Sequence, residues 1–196
     1  MHQQLLLPAG DFRAYLFDCD GTVADSMPVH FRAWSTAVAE QGGIFPEDLF
    51  LAWGGIPLHK TVEMLNERFH LSMPVEKTVR RKEELYFELL SEVGPMHCVL
   101  DHIHTRYGQI PFAIVSGSLR ASIFKTLNFL GIQEKFDEIV GAEDYQHGKP
   151  HPEPFLVAAQ RLNVPPAQCL VFEDADAGIV SAKAAGMGWV KVPRQS

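Results

Sequence analysis

The sequence predicts an α/β fold in which helices cover both faces of a parallel sheet and a helical module follows the first strand. Three observations carry this prediction. Short apolar runs, each too brief for a helix and followed by turn residues, recur along the chain. Segments of helical periodicity separate the later runs. Between about residues 25 and 95 the alternation stops and only helical periodicity remains. Nearly unbroken apolar strands alternating with amphipathic helices are the pattern of a sheet buried on both sides.

In chain order, the first strand is Ala14-Tyr15-Leu16-Phe17. The module after it has helical faces at Phe31, Trp34 and Val38, then Val62, Leu65 and Phe69, then Val79, Tyr86 and Leu89. Gly42-Gly43 and Gly54-Gly55-Ile56-Pro57 interrupt these helices. Strands resume at Phe112 to Val115, Glu138 to Val140, Cys169 to Phe172 and Trp189 to Val192. Ile123, Leu127 and Leu130 mark one intervening helix; Phe155, Ala159 and Leu162 a second; Ile179 and Ala182 a third. Right-handed crossovers then follow, giving a Rossmann-like core of residues 1–24 and 96–196 with a helical module over 25–95.

The chain has 196 residues, 46% hydrophobic and 21% charged, which fits one domain or a core with a smaller insert. A net charge of −7 argues against a nucleic-acid binder, which shows a basic face. An anionic substrate must then be captured by local cations. Cys19, Cys98 and Cys169 are odd in number and mostly set in apolar runs, so reduced thiols are expected. Leu5-Leu6-Leu7 is too short for a secretory segment, and no run reaches the roughly 20 apolar residues of a membrane helix. A cytoplasmic monomer is expected, with no membrane partner.

Chemistry concentrates at Phe17-Asp18-Cys19-Asp20-Gly21-Thr22-Val23. A strand delivers two carboxylates to the carboxyl end of the sheet, where open α/β folds bind ligands. A turn at Gly21 lets both acids approach one centre. Carboxylates so close repel unless a cation or shared proton relieves them, and oxygen-only ligands favour a hard ion such as Mg²⁺. Alone, Asp-x-Asp-Gly also occurs in loop caps and calcium loops. An EF-hand loop would need Glu at its twelfth position, but residue 29 is Val.

Other strand ends add to this set. Ser116-Gly117-Ser118 is read as opening a helix, whose N–H groups favour a phosphate; capping is the plainer role for Ser118. Lys149, ahead of Pro150 and Pro152, is either a solvated charge or a point charge for phosphate and nucleophile. Glu173-Asp174 either caps the next helix or completes an oxygen cage around a metal.

Together these segments resemble the four ordered signatures of haloacid dehalogenase-like phosphatases and phosphomutases: Asp18-x-Asp20-Gly21-Thr22-Val23, Ser116, Lys149 and Glu173-Asp174. The resemblance runs from Phe12 to Val192 and is nearest the beta-phosphoglucomutase and fructose-1-phosphatase-like subgroup. It implies that Asp18 is a nucleophile forming an aspartyl-phosphate, and that Asp20 is the acid and base, protonated at the first step. It implies Mg²⁺ on Asp18, the main-chain carbonyl of Asp20 and Asp174, with Glu173 bound directly or through water. Ser116, Lys149, Gly117 and Ser118 would hold the phosphate. The module at 25–95 resembles a cap, with His30 beside the acid/base and Gly55, Ile56, Lys60 and Lys82 around the substrate. Apart from that resemblance, the Arg80-Arg81-Lys82 run reads as a solvated helix face.

Three functions follow: hydrolysis of a small sugar phosphate, an isomerase of the phosphomutase type, or phosphate binding without catalysis. Retention of all the reactive acids disfavours the last. Where mutase relatives carry an Arg after the Gly55-Ile56-like pair, this chain has Pro57-Leu58-His59, and Leu58 makes no bidentate phosphate contact. That favours the phosphatase, acting on a small phosphorylated metabolite of fructose-1-phosphate type.

Overall fold

The computed structural model describes residues 5–193; the outermost residues of the expected core, 1–4 and 194–196, lie outside that range. Strand β1 (Ala14–Phe17) is followed by a two-residue strand β2 (Ala24–Asp25) and four helices, α1 (Met27–Ala39), α2 (Glu47–Ala52), α3 (Leu58–Phe69) and α4 (Val75–Glu88). The chain returns through β3 (Gly94–Pro95) and α5 (His97–Arg106). Then come β4 (Phe112–Val115), α6 (Arg120–Phe129), β5 (Glu138–Val140), α7 (Glu153–Arg161), β6 (Cys169–Glu173), α8 (Asp176–Ala184) and β7 (Gly188–Lys191).

The five long strands form one parallel sheet in the order β5-β4-β1-β6-β7. All five expected strands are present, with shifts at the ends. Pairing of Glu173 with Lys191 carries β6 one residue further, and β7 runs from Gly188 to Lys191, leaving Val192 outside. Strands β1 and β4 are buried at every position because both faces are covered. The two faces differ in bulk. Tyr15, Phe17, Phe112, Ile114 and Phe172 pack toward α5 and α6 with Val99, Ile103, Ile123 and Leu127. Ala14, Leu16, Ala113, Val115 and Val171 face Phe155, Ala158, Ala159 and Ala182 of α7 and α8. Small residues on that second face let the helices approach closely, and alternation along each strand sorts the side chains.

The helical segment leaves and re-enters the core across the antiparallel pair Ala24–Pro95 and Asp25–Gly94, so its two connections lie side by side. It has a core of its own, in which Trp34, Val38, Phe45, Phe50, Val62, Leu65 and Val79 are buried together. Phe31 is half-buried against that cluster and Phe69 ends α3 partly exposed. Gly42, at φ +79°, follows the end of α1, a left-handed conformation that glycine takes at little cost. Two hydrogen bonds tie α4 to α6, from the Ser122 hydroxyl to Glu83 and between Tyr86 Oη and Thr126 Oγ1 at 2.8 Å. Among the described residues no helix is long and apolar enough to cross a membrane. The three cysteines are buried and free of disulfides.

Candidate active site

At the carboxyl end of β1 the Asp18 N–H still donates to Phe172 O at 3.0 Å, so the sheet ladder itself aims this residue. The chain then turns at Gly21, φ +87°, where a Cβ would lie 2.8 Å from Asp174 Oδ2. Only glycine combines that dihedral with that approach. Thr22 Oγ1 donates to Asp174 Oδ1 at 3.3 Å across the same turn. From the neighbouring strand, Glu173 sits beneath Gly178, where any Cβ would collide with its carboxylate. Glu173 Oε1 accepts the Ala175 N–H at 2.9 Å.

These turns bring carboxylate oxygens of Asp18, Glu173 and Asp174 within 4.8 Å of one another, all three residues buried. Lys149 reaches them from the loop before α7. Its Nζ donates to Asp18 Oδ1 and Glu173 Oε2, both at 2.7 Å, and to Val115 O at 3.0 Å. Burial works against a charged Lys149, but Asp18 and Glu173 outweigh it and keep the ammonium protonated. The reverse holds for Asp18. Burial first, then Glu173, pushes it up to about 7 despite the pull of Lys149. One ammonium against three buried carboxylates leaves surplus negative charge, and the donors are all oxygen. That set fits a hard divalent cation, with Asp18, Asp174 and Glu173 as its available ligands.

The Asp20 side chain belongs to a different cluster. Its Oδ1 accepts from Ser26 Oγ at 2.7 Å and lies 2.9 Å from His30 Nε2; its Oδ2 accepts from Ser118 Oγ at 2.8 Å and Ser116 Oγ at 3.4 Å. Burial alone would raise its pKa, yet the His30 charge and the bonds from His30, Ser26 and Ser118 hold it well below the usual carboxylate range. These donors favour an ionised Asp20, whereas the expectation is of a protonated Asp20 at the first step. Burial, then the Lys82 charge, lowers His30 from its ordinary value.

Two further expectations change here. Ser118 does not cap α6, because its hydroxyl is committed to Asp20. Nor does Ser116-Gly117-Ser118 open that helix, which begins at Arg120 with its first N–H taken by the Glu143 carboxylate. The three residues instead form a loop ahead of it, in which Ser118 N–H donates to Ser116 Oγ at 3.0 Å. Tyr145 Oη holds that loop from behind by donating to Ser116 O at 3.1 Å.

One pocket is lined by Asp18, Asp20, Ser116, Gly117, Ser118, Lys149, Glu173 and Asp174 on the sheet side, and by His30, Gly55, Ile56 and Lys82 on the helical side. Met27, Trp34, Phe45, Phe50, Trp53 and Leu58 make most of the helical wall apolar. A Cβ on Gly117 would lie 3.3 Å from Gly55 O, so the two walls meet at these glycines. The His30 ring stacks on Tyr86 with centroids 4.0 Å apart.

Lys82 and Lys60 part company. Lys82 is buried, with Nζ 2.6 Å from Glu83 Oε1 and over the rings of Tyr86 and Trp34 at 5.3 and 5.8 Å. The solvated-face reading therefore fails for it, although the spacing Val79, Lys82, Tyr86 follows the apolar stripe of α4. Lys60 points the other way, pairs with Glu63 at 3.1 Å on the surface and does not reach the pocket, since its place in α3 is on the exposed face. Sequence reading named Thr22 within the signature without a role, and missed Ser26 and Glu83. Ser26, just ahead of Pro28, has the look of a helix cap, but its hydroxyl goes to Asp20.

A model of the haloacid dehalogenase-like hydrolases matches residues 12–186. The chain is 36% identical over 182 residues to the fructose-1-phosphate phosphatase YqaB of Escherichia coli, covering 92% of this chain and 96% of that protein. It is 33% identical over 190 residues to the beta-phosphoglucomutase of Bacillus subtilis, covering 89% and 80% respectively. Among solved structures, a beta-phosphoglucomutase from Clostridium difficile superposes with a TM-score of 0.82 at 29% identity, covering 93% of this chain and 85% of that one. The fold that brings Asp18, Lys149 and Glu173 together is thus shared with enzymes named for work on phosphorylated sugars, and the chain belongs to the haloacid dehalogenase-like hydrolases as a phosphoric monoester hydrolase.

Proposed function

We propose that this enzyme is a Mg²⁺-dependent phosphatase of small sugar phosphates, of the fructose-1-phosphate kind, working through an aspartyl-phosphate on Asp18. The observation that carries the reading is the buried contact of Lys149 Nζ with Asp18 and Glu173, both at 2.7 Å, beside Asp174. Asp18, Asp174, Glu173 and the main-chain carbonyl of Asp20 would hold Mg²⁺, which supplies charge neutralisation at the phosphoryl oxygens when bound.

In this reading the Asp18 carboxylate attacks phosphorus and is released from it by water. Lys149 offsets negative charge on the transferring group, and Glu173 keeps Lys149 charged and in place. The Ser116 hydroxyl and the Gly117-Ser118 loop orient the phosphate. Asp20, ionised among its donors, is ready to take the proton of the attacking water. To protonate the leaving alkoxide first, it must pick up a proton and exchange its bonds to Ser26 and His30 for one to substrate. Residues 25–95 act as a cap over the core formed by 1–24 and 96–196, excluding bulk water. Its aromatic wall offers a small polyol apolar surface to stack upon.

Beta-phosphoglucomutase likeness raises the isomerase as a second reading. The pocket lining speaks against it. Among the described residues lining the pocket, the only Lys or Arg side chains are Lys82 and Lys149, each already paired with carboxylate. Leu58 adds no charge, so a second phosphate on the helical side would find no uncommitted cation. Phosphorus NMR of hexose 1-phosphates and fructose 1-phosphate with Mg²⁺, with and without a hexose bisphosphate, distinguishes the two. Inorganic phosphate accumulating without the 6-phosphate is expected. Bisphosphate-dependent conversion to the 6-phosphate with little inorganic phosphate would establish the isomerase.

A further inference from the structure

Outside the pocket, the side chains of His147 and His151, on the loop that carries Lys149, converge with that of Glu153 at the start of α7. One donor atom of each lies within 4.8 Å of the others. Both imidazoles are exposed, whereas Lys149 between them in sequence is buried. We propose that these three residues form a second divalent-cation site, selective for an imidazole-seeking transition metal such as Zn²⁺ and separate from the all-oxygen cluster at Asp18.

The donor geometry is near what such an ion needs. Glu153 Oε2 lies 2.9 Å from His147 Nδ1 and 3.8 Å from His151 Nδ1. Tetrahedral zinc with bonds of about 2.0–2.2 Å sets neighbouring donors roughly 3.3–3.6 Å apart, between those two separations. The two rings are 4.8 Å apart by centroid. The carboxylate is also held in advance. The N–H groups of Gln146 and His147 both donate to it at 2.9 Å, and those bonds with the His147 side chain keep it ionised below the ordinary range. His151 Nδ1 accepts the Glu153 N–H at 3.2 Å, a bond that its one lone pair would exchange for the ion. Binding through His147 Nδ1 would replace the hydrogen bond that this nitrogen shares with Glu153.

Ligand type separates the two sites. Two imidazoles and a carboxylate suit Zn²⁺, Cu²⁺ or Ni²⁺, while carboxylates and water suit Mg²⁺. Three protein donors leave a position for water. Because its ligands stand two residues before Lys149 and two and four after it, the ion would fasten the loop that presents the ammonium.

The test is calorimetric titration of Zn²⁺ into the whole protein in excess Mg²⁺, beside His147→Gln, His151→Gln and the double variant. One equivalent of Zn²⁺ should bind, weakened at least about tenfold by each single change and lost in the double variant. Zinc entering the Asp18 cluster instead would give the same stoichiometry and affinity in all four proteins, which overturns the proposal. Electron paramagnetic resonance of one equivalent of Cu²⁺ gives an independent readout. Nitrogen coupling from imidazole, absent in the double variant, is expected, and a carboxylate-only signal in the wild type rejects the site.

Discussion

In the proposed reaction Asp18 meets two opposing demands, since it would have to be ionised to attack and yet lies among buried carboxylates. Asp18→Asn should cut phosphate release by at least about a thousandfold while the melting temperature in chelator stays level or rises, because one negative charge leaves the cluster. A variant with near-normal phosphate release would remove Asp18 from the chemistry. The raised value also gives a signed pH dependence. Without metal, native Asp18 keeps its proton up to about 7, whereas the unfolded chain releases it near 3.8. Between those values the native state binds more protons, so stability contributed by Asp18 falls as pH rises. Urea midpoints in chelator from pH 4 to 8 should therefore slope downward less steeply in Asp18→Asn than in wild type. Lys149 has the opposite role. Lys149→Met leaves two buried carboxylates without their cation, and should lower the unfolding free energy in chelator by roughly 3–5 kcal/mol. An unchanged urea midpoint would mean that the ammonium does not balance them.

Among the elements, α4 bridges the helical segment and the core. Its Tyr86 stacks on His30 and shares a hydrogen bond with Thr126 of α6. Tyr86→Phe keeps the ring stack and removes the bond, at an expected cost of about 1 kcal/mol. If that bond also holds the helical wall over the pocket, KM should rise with little change in kcat. Loss of kcat at constant KM would place Tyr86 nearer the chemistry than this geometry does. The helices were legible from periodicity because each buries one stripe, as Trp34 and Val38 or Val62 and Leu65 show. What α4 does with Lys82 was harder to read. A lysine inside an apolar stripe needs an acid beside it, and the half-buried Glu83 supplies one, although adjacent side chains on a helix ordinarily face apart.

For the whole molecule, a cation held by the acid cluster, as proposed, would couple its binding to folding. A ligand at a hundredfold excess over its dissociation constant stabilises by about 2.7 kcal/mol, which for a chain of this size is a rise of about 5–10 °C in melting temperature. Mg²⁺ should produce such a rise, and Asp174→Asn should abolish most of it. Thermal melts in Mg²⁺ and in chelator that coincide for wild type would show that the cluster holds no such ion. Phosphate release should likewise require the ion, with Ca²⁺ inhibitory because it tolerates extra ligands and departs from octahedral geometry.

By itself the sequence determined the parallel sheet, its helices and the strand ends where Asp18, Ser116 and Glu173 stand, whereas Lys149, expected at a strand end, lies well past β5 on the loop before α7. Burial on both faces imposes an unbroken apolar run, and turn chemistry marks where each run stops. The tertiary structure alone decided which polar groups meet. Ser118 looks like a cap until the end of β4 approaches the turn after β1, and then its hydroxyl bonds Asp20. Asp20 was expected to hold a proton at the first step, but Ser26 and His30 from the start of α1 and Ser118 from the loop after β4 favour the ionised form. Lys60 and Lys82 carry the same charge, and only the packing of α3 and α4 turns one to solvent and the other into the pocket. Periodicity records what each element buries, whereas hydrogen-bond partners depend on distances between elements, and those are set by how the whole chain packs.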